Sequence, residues 1–291
     1  MRDPGELVEY LTGPDGGAPV LVETLEGFID AGQAVRLARE HLLGLSEPEV
    51  VARFDVDELL DHRARRPTLV FDTDHWESYD RPLVVLHRLR DAAGTPFLLL
   101  SGPEPDVQWE RFAASVIGAL ERLGVQLTIG LHSVPWAVSH TRPVGITGHG
   151  NPRELLESPP VVLGKVQVPA SIGHLLEYRL GELGRKAIGF AAHTPYYVAA
   201  IEYASSAEAL LAAVERVAAL SLQLEPLRRR AEEVRAAIDA QLAEDEQAQA
   251  VISELEEREE EPLDREDIPS GDELGAEFER FLAERGRQDE V

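Results

Sequence analysis

The sequence predicts a three-layer α/β/α sandwich followed by an acidic helical extension. Three observations carry that expectation. Short β-rich runs bounded by Gly or Pro alternate with helical patterns through the first 224 residues. Several of those runs are apolar on both faces, as strands covered by helices on either side are. The charge then shifts near Leu224-Glu225-Pro226. Residues 225–291 hold 23 acidic and 9 basic side chains, against 30 and 19 in residues 1–224. Pro226 fits a helix's first turn but not its interior. The division is therefore a body at 1–224 and a tail at 225–291.

Taken in order, the strand runs are Val20–Thr24, Val50–Phe54, Thr68–Phe71, Leu83–His87, Phe97–Leu100, Val125–Leu131, Val144–Thr147, Val161–Val168 and Ala187–Phe190. Helical patterns cover Ala31–Leu43, Asp106–Leu123, Ser171–Leu183 and Ser206–Leu222. This alternation predicts a mostly parallel sheet. Leu83–Leu100 is the exception. Asp91-Ala92-Ala93-Gly94 leaves too little chain for a crossover helix, so an antiparallel pair is expected there. In the tail, Leu227, Ala231, Val234, Ile238, Ala248, Ile252 and Leu255 form an apolar stripe, interrupted by Gln241–Gln247. Ser270 with Glu273 is a capping box for a further helix carrying Phe278, Phe281 and Leu282.

Composition excludes whole classes. The chain has 291 residues, 28 basic against 53 acidic, and a net charge of −25. Nucleic-acid backbones and anionic membrane surfaces both call for a basic face, so neither is an expected partner. No apolar stretch approaches the length of a membrane span. With no signal-peptide pattern at the start, the expected location is the cytoplasm. There is no cysteine, which removes disulfides, thiol nucleophiles and cysteine-held metal clusters. Gly164-Lys165 lacks the first glycine of a P-loop, no Gly-x-Gly-x-x-Gly follows a strand, and Ser171 lacks a nucleophile elbow. No catalytic set, cofactor or metal site is therefore expected.

Polar residues remain where strands end, the place where open α/β sheets bind ligands. Glu26 and Asp30 follow the first run, with Asp30 equally suited to cap the next helix. Asp72 and Asp74 follow Thr68–Phe71, where two carboxylates could share a hard cation or simply solvate a loop. His75, His132, His149 and His193 also fall just past strands, yet no two share ligand spacing within one element. The pocket candidates are thus Glu26, Asp30, Asp72, Asp74, His149 and His193. Leu69-Val70-Phe71-Asp72-Thr73-Asp74 resembles the first motif of haloacid-dehalogenase-type phosphatases, but no Gly-Asp-x-x-x-Asp follows it. The apolar loop Pro195-Tyr196-Tyr197 has the composition of an interface core.

Five stretches stand in order along the body. They are Glu26-Gly27-Phe28-Ile29-Asp30-Ala31-Gly32, Val70-Phe71-Asp72, Gly102-Pro103-Glu104-Pro105 with Trp109, Gly145-Ile146-Thr147-Gly148-His149-Gly150, and Gly189-Phe190-Ala191-Ala192-His193-Thr194-Pro195-Tyr196-Tyr197. Together they resemble the proteasome assembly chaperone family in its bacterial branch. The resemblance implies a purine-nucleoside-phosphorylase-like three-layer fold and assembly into homo- or hetero-oligomers, with the acidic tail outside the shared core; a homo-oligomer, a trimer first, is the expectation. It also implies a non-catalytic scaffold that assists a protein client or complex. A small-ligand binder or enzyme using the strand-end crevice is the alternative.

Overall fold

The computed structural model describes residues 3–13, 18–156, 165, 167–243 and 246–260. The strands are β1 (Val8–Tyr10), β2 (Val20–Glu26), β3 (Glu49–Phe54), β4 (Leu69–Asp72), β5 (His75–Tyr79), β6 (Val84–Arg90), β7 (Pro96–Pro103), β8 (Leu127–Trp136), β9 (Ile146–Asn151) and β10 (Lys186–Pro195). The helices are α1 (Ala34–Leu43), α2 (Val56–Leu59), α3 (Trp109–Leu123), α4 (Ile172–Glu182), α5 (Ala204–Ala218), α6 (Glu225–Leu242) and α7 (Glu246–Glu260).

Eight strands form one sheet in the order β1-β3-β6-β7-β2-β8-β10-β9. Parallel pairing is confined to β7, β2, β8 and β10. Both flanks are antiparallel, so the sheet is mixed rather than mostly parallel. A parallel neighbour needs a long crossover, usually a helix. Between β3 and β6 the only helix is the single turn α2, and β8 reaches β9 with none. The predicted β6–β7 pair is antiparallel, and its turn is held by Asp91, whose carboxylate accepts from Ala93 N at 2.9 Å and Thr95 N at 2.7 Å.

The run Thr68–Phe71 departs from expectation more sharply. It ends in a reverse turn, pairs with β5, and leaves the main sheet as a separate hairpin whose strands are exposed throughout. The run Val161–Val168 and the helix after Ser270 lie outside the described residues, apart from Lys165, Gln167 and Val168, which are not in a strand.

Alternation along the central strands sends side chains to two cores. On one face Val20, Val22, Ile129, Leu131, Ile188 and Phe190 meet α1 and α5. On the other, Leu21, Leu25, Leu98 and Leu100 meet Phe112, Val116 and Leu120 of α3 and Ile172 and Leu176 of α4. Three layers result, as predicted.

The β2–α1 connection shows why its motif reads as it does. Asp30 accepts from Val35 N at 2.9 Å and Arg36 N at 3.0 Å, satisfying two free amides at the start of α1. Gly32 has φ +67°, and a Cβ there would lie 2.8 Å from Tyr203 Cβ and 3.1 Å from Thr194 Cγ2. The first and last of the five stretches therefore pack on each other. Asp30→Ala should lower stability by about 1 kcal/mol, the usual cost of losing such a cap, read as a reduced urea midpoint with an unchanged slope.

The tail helix α6 lies against α5. Leu227 is buried in the α1/α5 core, and Ile238 packs with Val198 and Tyr203. Arg235 donates to Thr141 O at 3.0 Å, and His140 Nε2 meets Asp239 at 3.0 Å.

Candidate functional site

The polar crevice forms on the α3/α4 face of the sheet, where β2, β8, β10 and β9 run side by side. Alternation puts Glu23, His132, His149 and His193 on that face, since Val22, Leu131 and Phe190 point the other way. The first turn of α4 closes over it. Ser171 caps that helix, accepting from His174 N at 3.2 Å.

Three imidazoles meet under this turn. His132 and His174 have ring centroids 4.2 Å apart, and His149 lies 5.8 Å from His132 and 5.9 Å from His174. One ring nitrogen from each lies within 4.8 Å of the others. Glu177, one helical turn past His174, sits 2.9 Å from His149 Nδ1. Ser171 Oγ sits 2.9 Å from His174 Nδ1. Glycines let the rings approach. A Cβ at Gly189 would lie 2.2 Å from His149 Cε1, and one at Gly173 would lie 2.6 Å from Glu23 Oε2 and 3.3 Å from His132 Cε1.

Burial sets the charge states here. It holds His132 well below the usual imidazole range, with His174 and His149 adding to the effect, and it lowers His174 likewise. The buried Glu23 carboxyl is pushed up to about 7 by desolvation, though its Oε1 accepts from Leu25 N at 2.7 Å. Glu104 and Glu177 push it the same way. Glu104, also raised by burial, accepts from Ile172 N at the start of α4.

Further along the same face, His193 forms a second unit. Its Nε2 meets Thr147 Oγ1 at 2.7 Å, its ring stacks on Trp136 at 4.4 Å, and burial lowers its pKa to about 4.

The structure thus brings together only some of the residues singled out by sequence. His149 and His193 line the crevice face. Glu26, at the end of β2, pairs with Arg39 at 2.6 Å, and Asp30 is the helix cap already described. Asp72 and Asp74 sit at the exposed hairpin tip, because their strand turns back at Thr73 instead of entering a helix. There Thr73 Oγ1 donates to Asp72 at 2.9 Å and Asp74 meets His75 Nδ1 at 3.0 Å. Pro195 is buried, Tyr196 is exposed, and the Tyr197 hydroxyl accepts from His140 N at 2.7 Å. Sequence reading missed Glu23, His174 and Glu177. The available signal was Ser171, His174 and Glu177 at three-residue steps on one helix face.

A mixed sheet between helical layers, with a polar crevice under one helix start, defines a three-layer α/β/α protein. A model of the PAC2 family matches residues 24–242, and the chain belongs to that family. That match takes in α6, so this part of the tail lies inside the shared core rather than outside it.

Solved structures agree. A Mycobacterium tuberculosis protein of unknown function is 45% identical, with a TM-score of 0.82, over 89% of this chain and 92% of that one. A Corynebacterium glutamicum protein of unknown function is 36% identical, with a TM-score of 0.81, over 87% and 96%. A Mycobacterium tuberculosis proteasome-assembly chaperone homologue, 23% identical with a TM-score of 0.73 over 81% and 99%, shares the fold. No curated protein matches the chain. Among the described residues, no helix is long and apolar enough to cross a membrane.

Proposed function

We propose that this PAC2-family chain works in the cytoplasm as a non-catalytic, oligomeric scaffold of the chaperone type, assisting assembly of a protein complex. The observation that carries this reading is the β4–β5 hairpin. Phe71 is 56% and Trp76 63% exposed, with Leu69, Val70 and Tyr79 also open to solvent. Their main internal contact is the edge-to-face pair of Phe71 and Trp76, 5.1 Å between centroids. A two-stranded hairpin is marginal by itself, and a cluster of exposed aromatics is the composition of a protein interface. The occupant is a second copy of this chain, with a trimer as the first expectation. The similarity in fold to a proteasome-assembly chaperone homologue supports the chaperone character.

Light scattering on the full chain at micromolar concentration should give about three times the 32.0 kDa chain mass. The double variant Phe71→Asp, Trp76→Asp should return it to one chain mass, since both side chains lie outside the core. A single-chain mass for the unaltered protein would remove the oligomer from this reading. An unchanged oligomer in the variant would remove the hairpin.

A further inference from the structure

We propose that His132, His149 and His174 form a three-histidine site for a divalent transition metal, zinc in the first instance. The site is independent of the hairpin and of the scaffold role.

Geometry comes first. Three elements distant in sequence deliver three imidazoles whose chosen nitrogens lie within 4.8 Å of one another. Zinc–nitrogen bonds are about 2.0–2.1 Å, so small ring rotations bring all three nitrogens onto one ion. Two rings are already aimed. The Glu177 carboxylate lies 2.9 Å from His149 Nδ1, and Ser171 Oγ lies 2.9 Å from His174 Nδ1, which leaves Nε2 of each ring as the ligand atom. A carboxylate or hydroxyl on the far nitrogen is the arrangement that orients and strengthens a ligating histidine. The His132 ring lies beside both others, 4.2 Å from His174 and 5.8 Å from His149 between centroids. Three half-buried imidazoles converging from two strands and a helix are poorly explained as packing alone.

Donor chemistry points the same way. Three neutral imidazole donors suit zinc, cobalt or nickel rather than magnesium or calcium, which prefer oxygen. With no cysteine in the chain, no thiolate competes with the imidazoles for the ion.

The full-length protein, stripped with a chelator and dialysed, is titrated with Co(II) by visible absorption and with Zn(II) by calorimetry. One ion per chain should bind, with cobalt ligand-field bands that zinc displaces. His149→Ala should weaken zinc binding at least 100-fold. Glu177→Gln, which keeps all three rings, should weaken it about 10- to 100-fold. His75→Ala, on the exposed hairpin, should change nothing. Circular dichroism melting without metal checks each variant, and Glu177→Gln decides if His149→Ala fails to fold. Absence of the cobalt bands, or one-to-one zinc binding unaltered in Glu177→Gln and His149→Ala, would overturn the site. So would binding lost in His75→Ala.

Discussion

A chain ending at Leu224 should fold cooperatively but lose about 6 kcal/mol of stability, a large share of the roughly 5–15 kcal/mol that a domain possesses. Leu227, Ile238 and Leu255 are 5%, 8% and 4% exposed. Removing each forfeits about 2 kcal/mol of apolar burial. The truncation also uncovers Val198 and Tyr203, the partners of Ile238, and Leu222 and Leu224 beside Leu227. Ion pairs contribute less, because Glu208 with Arg228 and Glu202 with Arg230 lie near the surface. The eight-stranded sheet and its two cores are otherwise complete without α6. Urea unfolding of the two chains measures the difference. An unchanged midpoint would show that α6 adds nothing to the body, and loss of a cooperative transition would show that residues 1–224 cannot fold alone.

The protein should also be acid-sensitive through His193. The folded value is about 4 against 6.5 for the free side chain, because burial disfavours the imidazolium. Between those values the unfolded chain binds a proton that the folded chain refuses. Stability is full above pH 6.5, declines as pH falls, and has lost about 3 kcal/mol by pH 4. His132 and His174, also lowered, act in the same direction. Glu23 opposes them. Its carboxyl is raised to about 7, so the folded chain takes up a proton there between about 7 and 4.5, which partly offsets the loss. Comparison with a single variant isolates His193. In His193→Gln, where the amide can still reach Thr147, the stability difference between pH 7 and pH 4.5 should shrink by about 2.5 kcal/mol. An identical acid slope in the two proteins would mean that His193 is not held neutral by the fold.

What could be read from the sequence follows from how local its cause is. The apolar runs of β2, β7, β8 and β10 and the cap at Asp30 depend on adjacent residues, and they are where the pattern puts them. The tail stripe is equally local, and among the described residues Leu227, Ile238 and Leu255 are its buried members. The β4–β5 hairpin was not legible as a separate unit. Leu69-Val70-Phe71 has the same composition as a core strand, and burial is the usual fate of such residues. Only the partner strand, absent from a one-dimensional pattern, distinguishes them. The histidine cluster was hidden for a related reason. His132, His149 and His174 lie on a strand, an edge strand and a helix, and their meeting depends on the β8–β10–β9 register. That register pairs Gly189 with both Gly130 and His149. No spacing rule within one element contains it.

The position of β2 has a consequence for how the chain acquires its structure. Leu21, near the start, pairs with Leu98 on one side and Thr128 on the other. During synthesis this apolar strand therefore emerges long before either neighbour exists, and the centre of the sheet cannot close until β8 has been made. Closing loops of that length is entropically costly, and domains built on distant pairings fold slowly, in milliseconds to seconds. Until then Val20–Leu25 presents two unsatisfied edges to other chains. The nascent protein is most prone to aggregate in the interval between β2 and β8.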